Sequence, residues 1–342
     1  MTVTAAVFTL ALKIFAGCAI LALVVFIALL FDGSDRVLNA KMQRRVGPPL
    51  FQPILDIFKL MGKENIVPRR AVRPFFMAAP WVALVSTLMI FLYIPLRPFP
   101  AVLGTEGDMI LILYLLILGG VAMAIGGFAS GNPIANIGAN RKLTLMVSYE
   151  FPLAIVIATM AWVAFHVEKP GVPFSMETFT TTSIWFSVGT IGLFGVACLF
   201  LSLIMVIPGE TAKGPMDIPE AKTEILDGLI IEYSGVNLAM LKLTFALRAL
   251  AISVFVTSRF VPWSLVGILG TGGVVVGFFD FFFFWIKVFI VQVIFVTVMR
   301  TAFGRLKIWQ ASNFYLINAT GLSLMGMILL SIDIMVRSRL LG

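Results

Sequence analysis

The chain has 342 residues, 60% of them apolar and only 12% charged, with a mean hydropathy of +1.04. Soluble domains carry about 45–50% apolar and about 25% charged residues, so a water-soluble globule, a disordered chain and a nucleic-acid module are excluded. Its two cysteines, Cys18 and Cys198, lie in apolar runs, and His166 is the only histidine. That inventory supports no disulfide framework, zinc site, iron–sulfur ligand set or haem pocket. In such a chain the net charge of +8 reads as membrane topology.

A helix needs about 20 mainly apolar residues to cross roughly 30 Å of hydrocarbon. Eight such runs follow one another: 5–31, 74–96, 108–129, 147–166, 184–207, 236–258, 272–298 and 312–336. The fold class is therefore all-α, a polytopic membrane protein with about eight transmembrane helices. The first run is too long for a signal-peptide core and lacks early basic residues, so it too is a membrane helix. Sixteen Lys and Arg fall in the loops 32–73, 130–146, 208–235 and 299–311, against five (Arg97, Lys169, Arg259, Arg337, Arg339) on the other side. This bias turns the four loops toward the cytoplasm and both termini outward. No internal repeat or linker divides the chain, so residues 1–342 read as one membrane domain.

In the first loop, Leu50, Ile54, Ile57 and Phe58 share one helical face, while Asp56, Lys59 and Lys63 lie toward the other. This is an amphipathic interfacial helix, either anchored on the membrane surface or covering a cavity. The fourth run opens on Glu150, after Ser148-Tyr149. The loop 208–235 is richest in signal, with six of the seventeen carboxylates between Glu210 and Glu232. Asp217, Glu220, Glu224 and Asp227 recur at spacings of 3, 4 and 3, which would align them on one helical face. Asp217 with Pro219 and Glu220 also reads as a capped helix start, leaving Glu224 and Asp227 unexplained. Four aligned acids repel one another, so a desolvated stripe raises at least one pKa and makes it a candidate proton carrier. A solvated loop face is the competing reading.

Within the spans, ions cost at least about 2.5–3.5 kcal/mol in lipid, so they face protein or water. Lys242 and Arg248 lie in the sixth run, Asp280 and Lys287 in the seventh. Lys13 and Asp333, near span ends, can snorkel. Glu150, Lys242 and Arg248 make up the polar pathway expected from physics alone. Phe281–Phe284 reads as a patch facing lipid or another subunit. No nucleotide loop, nucleophile elbow or metal cluster is evident, so any electrons must come from another subunit.

Three blocks then resemble a known family. Lys41-Met-Gln-Arg-Arg-Val-Gly-Pro48 followed by Leu50-Phe-Gln-Pro-Ile-Leu-Asp-Ile-Phe-Lys59 is similar to the H subunit (subunit 1) of complex I, the NADH-quinone oxidoreductase. So are Arg141 with Val-Ser-Tyr-Glu150, and Asp217-Ile-Pro-Glu-Ala221 running through Glu224 to Glu232-Tyr-Ser-Gly235. The branch is set by departures. Gly47-Pro48-Pro49 runs directly into Leu50 without the Asn-containing insertion typical of complex I, as in membrane-bound energy-converting hydrogenases and archaeal sulfane reductase complexes. Lys222 stands where many complex I sequences carry Glu, and the late basic block is reduced to Arg300, Arg305 and Lys307.

The resemblance implies a non-redox membrane subunit of an ion-translocating oxidoreductase, which anchors a peripheral redox arm and couples electron transfer to proton or sodium movement. It implies that Glu150, Asp217, Glu220, Glu224 and Glu232 begin an ion pathway; Asp227, Lys242 and Arg248 join that pathway from their charge and placement. It puts Arg44, Arg45, Arg141 and Lys222 near the redox arm. It implies no cofactor in this chain, with iron–sulfur clusters and, in hydrogenase members, nickel–iron in partners. Those partners would be large and small hydrogenase-type subunits, an iron–sulfur protein and antiporter-like membrane subunits, within a lipid bilayer and with no nucleic acid. The shortened Gly-Pro-Pro connection is expected to draw the amphipathic helix toward the first span and remove the quinone site. The alternatives are a quinone-binding complex I subunit of the same family and, from another class, a stand-alone secondary ion transporter.

Overall fold

A computed structural model describes residues 3–97, 99–104, 109–167, 183–264 and 274–341, and the side chains of 11–97, 99–104, 109–166, 183–264 and 275–337. Lys169, counted above among the outward basic residues, lies outside the described residues. The described residues are mostly helical, without a strand among them, and eight of the helices are long and apolar enough to cross a membrane. They are α1 (Val3–Met42), α3 (Arg73–Tyr93), α4 (Met109–Ala129), α5 (Pro133–Val167), α6 (Thr190–Thr211), α7 (Gly235–Phe260), α8 (Val275–Ala302) and α9 (Ile308–Arg337). The short α2 (Gln52–Met61) lies between α1 and α3 in sequence and packs on α1 and α7. Eight crossings return the chain to the end where it began; the other end carries the long loops.

Helix α7 is the axis. It is the most enclosed of the eight, whereas α1 is the most exposed. Its small residues, including Ala239, Ala246, Ala249, Ala251 and Ser253, let neighbouring backbones approach closely. The hydroxyls of Thr244, Ser253 and Thr257 bond carbonyls four residues back, so they add no unsatisfied polar group to the core.

The helices overrun the apolar runs that announce them. Helix α1 continues from 31 to Met42, because the bilayer limits where a helix must be apolar and not where it must stop. Asp32, Asp35 and Arg36 are therefore helical, not loop residues. Helix α5 begins at Pro133, which shrinks the expected loop 130–146 to three residues and makes Arg141 and Lys142 helical. At the far end of α6, Pro208 is inside the helix, which runs on to Thr211. The expected acidic helix face does not exist. Residues 212–234 fold instead into three separate turns, Ile218–Glu220, Lys222–Ile225 and Gly228–Ile230. Leu226 and Asp227 adopt left-handed φ values of 50° and 67°, which end the middle turn and break any common face.

Two further corrections concern the spans. The Phe281–Phe284 patch is divided: Phe284 is buried and Phe282 exposed. Asp333 does not snorkel; it is buried and accepts the Gly189 backbone N–H at 2.7 Å, closing the start of α6. Helices α8 and α9 each contain a π-helical stretch, Val293–Val298 and Phe314–Ala319, which hydropathy gives no hint of.

Candidate functional site: a charged cavity and the buried chain beneath it

At the loop-rich end a cavity of about 750 Å³ opens between α1, α2, α7, α8 and the 212–234 loop. Its wall begins on α1. Asp32, Asp35 and Arg36 sit at spacings of 3 and 1, which places them on one helical side, facing inward. Lys213 donates to both acids, 3.0 Å to Asp32 and 2.8 Å to Asp35. Arg36 pairs with Asp32 and with Asp56 on α2, both at 2.9 Å. Thr297, in the α8 π segment, donates to Asp35 at 2.7 Å, and Arg300 reaches the same carboxylate at 3.2 Å. Burial works against the Lys213 charge, but Asp32 and Asp35 outweigh it and hold the ammonium above the ordinary lysine range.

Asp56 thus corrects its expected placement with Lys59 and Lys63 on the outer face of α2: it points into the cavity. Burial tends to raise its carboxyl, but hydrogen bonds from Gln52 and Arg36 hold it below the usual range. The connection before α2 is as tight as its prolines suggest. A Cβ at Gly33 would collide with the Leu50 carbonyl, so α2 is seated directly against α1.

The acidic loop forms the cavity's outer rim. Asp217 caps no helix with its side chain, contrary to the sequence expectation; it pairs with Arg305 at 2.6 Å. Arg305 also donates to the Thr223 hydroxyl at 2.9 Å, which ties the rim to the α8–α9 connection. Lys222 stands 3.8 Å from Asp227, and Glu224 pairs with Arg141 at 2.6 Å. Glu220 differs from all of these. Its Oε1 is buried and has no hydrogen-bond partner among the described residues. Burial, reinforced by Asp227 and Asp217 and only partly offset by Lys142, pushes its carboxyl up to about 7.

Lys142 connects this rim to the membrane interior. It is buried on α5, donates to the Tyr149 hydroxyl at 3.4 Å, and lies within electrostatic reach of Glu220, Glu150, Glu210 and Arg248. Below it, Arg248 on α7 pairs with Glu210 on α6, both almost fully buried, and donates to the Leu116 carbonyl at 3.0 Å. Gly119 on α4 makes the room: a Cβ there would stand 2.8 Å from the guanidinium. Tyr149 and Tyr315 pack edge to face beside the pair, 5.9 Å apart. Glu150 completes the group, its Oε1 buried and without a hydrogen-bond partner among the described residues. Pro152 and Pro208 each lie two residues from one of these acids, and each removes a backbone hydrogen bond from its helix.

The structure therefore groups Glu150, Glu220 and Arg248 with two residues outside the sequence-derived set, Glu210 and Lys142. It places Asp217, Asp227, Lys222 and Lys242 around the cavity. Glu224 and Arg141 lie beyond it on the outer surface. Glu232 is elsewhere, bonded to Asn132 in a separate groove beside Arg69 and Arg70. Arg44 and Arg45 are exposed in the turn after α1. Asp32, Asp35 and Lys213 were also missed; their signal was the acid pair closing an apolar run, legible only if that run is extended as a helix.

Eight membrane-crossing helices thus hold a charged cavity at one end, continued inward by buried acids and bases. The family model described as NADH dehydrogenase matches residues 15–331, and the chain belongs to that family. It is 32% identical over 236 residues to hydrogenase-4 component C of Escherichia coli (strain K12), covering 68% of this chain and 71% of that protein. Formate hydrogenlyase subunit 4 of the same strain is 30% identical over 256 residues, 74% of this chain and 79% of that one. The H subunit of NADH-quinone oxidoreductase from Geobacillus kaustophilus (strain HTA426) is 28% identical over 272 residues, covering 76% and 78%. In structure the chain is similar to one from the membrane-bound sulfane sulfur reductase (MBS), an archaeal respiratory membrane complex. That match has a TM-score of 0.77 and 27% identity, covering 92% of this chain and 98% of the other. The chain is thus a membrane subunit of a multi-subunit, complex-I-like oxidoreductase.

Proposed function

We propose that this subunit couples electron transfer in a soluble redox arm to proton or sodium movement, within a complex of the hydrogenase or sulfane reductase type. The arm, built from hydrogenase-type large and small subunits with an iron–sulfur protein, holds the redox cofactors and docks on the loop-rich end, which faces the cytoplasm. Arg44, Arg45 and the Arg141–Glu224 pair border the docking face. Antiporter-like membrane subunits receive the charge displacement. The observation that carries this reading is the succession Glu220, Lys142, Glu150, Glu210 and Arg248, which leads from the cavity into the helix bundle. A change of charge in the arm would shift the proton on Glu220, whose carboxyl titrates near neutrality, and Lys142 would transmit that shift to Glu150 and the Glu210–Arg248 pair.

The hydrogenase-type assignment is supported by the short Gly47-Pro48-Pro49 connection, which seats Leu50 against Gly33. The test is Glu220→Gln in the purified intact complex, reconstituted in vesicles. Acceptor reduction should continue while ion translocation falls; translocation at the wild-type ratio would refute the relay. Quinone-site inhibitors should leave turnover unchanged, whereas a quinone bound beneath α2 would favour the quinone-binding complex I alternative. A cysteine placed at the exposed Asn65 should resist an impermeant label in intact cells if the loops face inward.

A further inference from the structure

The cavity wall is divided in a way the coupling role does not use. One side is an ion-pair net. Every cation there has a carboxylate within 4 Å: Arg36 with Asp32 and Asp56, Lys213 with Asp32 and Asp35, Arg300 with Asp35, Arg305 with Asp217, and Lys222 with Asp227. The other side is apolar. Leu238 and Phe245 on α7 lie four residues before and three after Lys242, so all three share one helical face, and Ile230 and Ile231 continue the surface on the loop. Lys242 is the exception among the cavity cations: among the described residues no carboxylate pairs with it. Asp56 is within its electrostatic reach, but both oxygens of that carboxylate are bonded, to Gln52 and to Arg36. An unpaired ammonium set between apolar side chains inside a concave site is matched by a ligand with the reverse distribution, an anionic head on an apolar chain.

We infer that the cavity binds an anionic amphiphile, its carboxylate or phosphate head at Lys242 Nζ and its chain along Leu238, Phe245, Ile230 and Ile231. The volume of about 750 Å³ lies within the range of roughly 300–1,000 Å³ typical of small-molecule sites. Exposed Lys222 and Leu226 stand among the lining residues, so the cavity has an open mouth. The head can come from a free fatty acid or from an anionic phospholipid with one chain inserted. A neutral quinone head has no need of the ammonium. This inference concerns binding and holds or fails independently of the coupling role.

The experiment is a titration of the detergent-purified intact complex with spin-labelled stearate and with spin-labelled phosphatidylglycerol, reading the motionally restricted spectral component. Lys242→Gln should weaken retention of the anionic probe about tenfold, the size expected for one lost bond to a charged group. Lys242→Arg should retain it, Leu238→Asn should weaken it, and Lys59→Gln on the outer face of α2 should change nothing. Tighter retention of stearate identifies the fatty acid, and tighter retention of phosphatidylglycerol the phospholipid. Undiminished retention by Lys242→Gln, or equal retention of spin-labelled phosphatidylcholine, would overturn the assignment.

Discussion

Two ion pairs of this protein use the same chemistry in opposite settings. Glu210–Arg248 lies between α6 and α7 with both side chains about 1% exposed, whereas Lys222–Asp227 spans 3.8 Å on the rim with side chains 76% and 40% exposed. In the first, removing either partner strands a charge where water cannot replace it. In the second, water and salt already do most of the work. The sequence spacing drew attention to the rim acids, but burial decides which charges matter, and the deep pair comes from two helices thirty-eight residues apart in the chain.

The sharpest way to break this contrast is Arg248→Met. It should cost about 3–5 kcal/mol by leaving Glu210 buried and unpaired, read as a large fall in the thermal midpoint of the purified complex. The double variant Glu210→Gln/Arg248→Met should recover most of that loss, because no charge is then stranded. Next is Lys213→Met, which leaves Asp32 and Asp35 facing one another with Arg36 and Arg300 as remaining partners. It should cost about 1.5–3 kcal/mol, the value of hydrogen bonds to charged groups.

Glu220→Gln sharpens the comparison through pH. The folded carboxyl titrates near 7 against an ordinary value of 4.5, so the folded chain holds this proton longer than the unfolded chain. Its contribution to stability is complete below about 4.5 and is lost as pH rises through about 7. The variant should flatten the stability profile across that window and remove a protonated-carboxyl infrared band that disappears near pH 7 in the wild type. The smallest effects belong to the rim. Asp217→Asn and Asp217→Ala should be equally mild, within about 1 kcal/mol, because the side chain pairs with half-exposed Arg305 and caps nothing. A markedly worse Ala variant would restore the capping role. Lys222→Ala should change stability by about 0.5 kcal/mol or less.

The span count, the short amphipathic α2 and the presence of Glu150 and Arg248 within membrane-crossing helices were all legible in the sequence, since each follows from apolar length or periodicity. The grouping was not. Helical periodicity assumes one continuous helix, and the left-handed residues Leu226 and Asp227 divide the acidic loop into turns that send Glu220 inward and Glu224 outward. Hydropathy marks where apolar residues end, so it assigned Asp32, Asp35 and Lys142 to loops although their helices continue through them. Glu210 was hidden by Pro208, which reads as a helix terminator but lies within α6.

The π-helical stretch Val293–Val298 governs the register of everything beyond it. It accommodates one residue more than an α-helix would, so Thr297 and Arg300 keep their positions on Asp35 despite that extra residue. Deleting a single residue within that stretch would rewind it as an α-helix and leave Arg300 on Asp35, whereas deleting one in the α-helical part before it would rotate this end of the span by about 100°, the turn per residue of an α-helix. In the second case Arg300 would swing off the cavity wall while the hydrophobic length of the span barely changed. The last third of α8 thus behaves as an indexed shaft, with the acid pair on α1 as its detent.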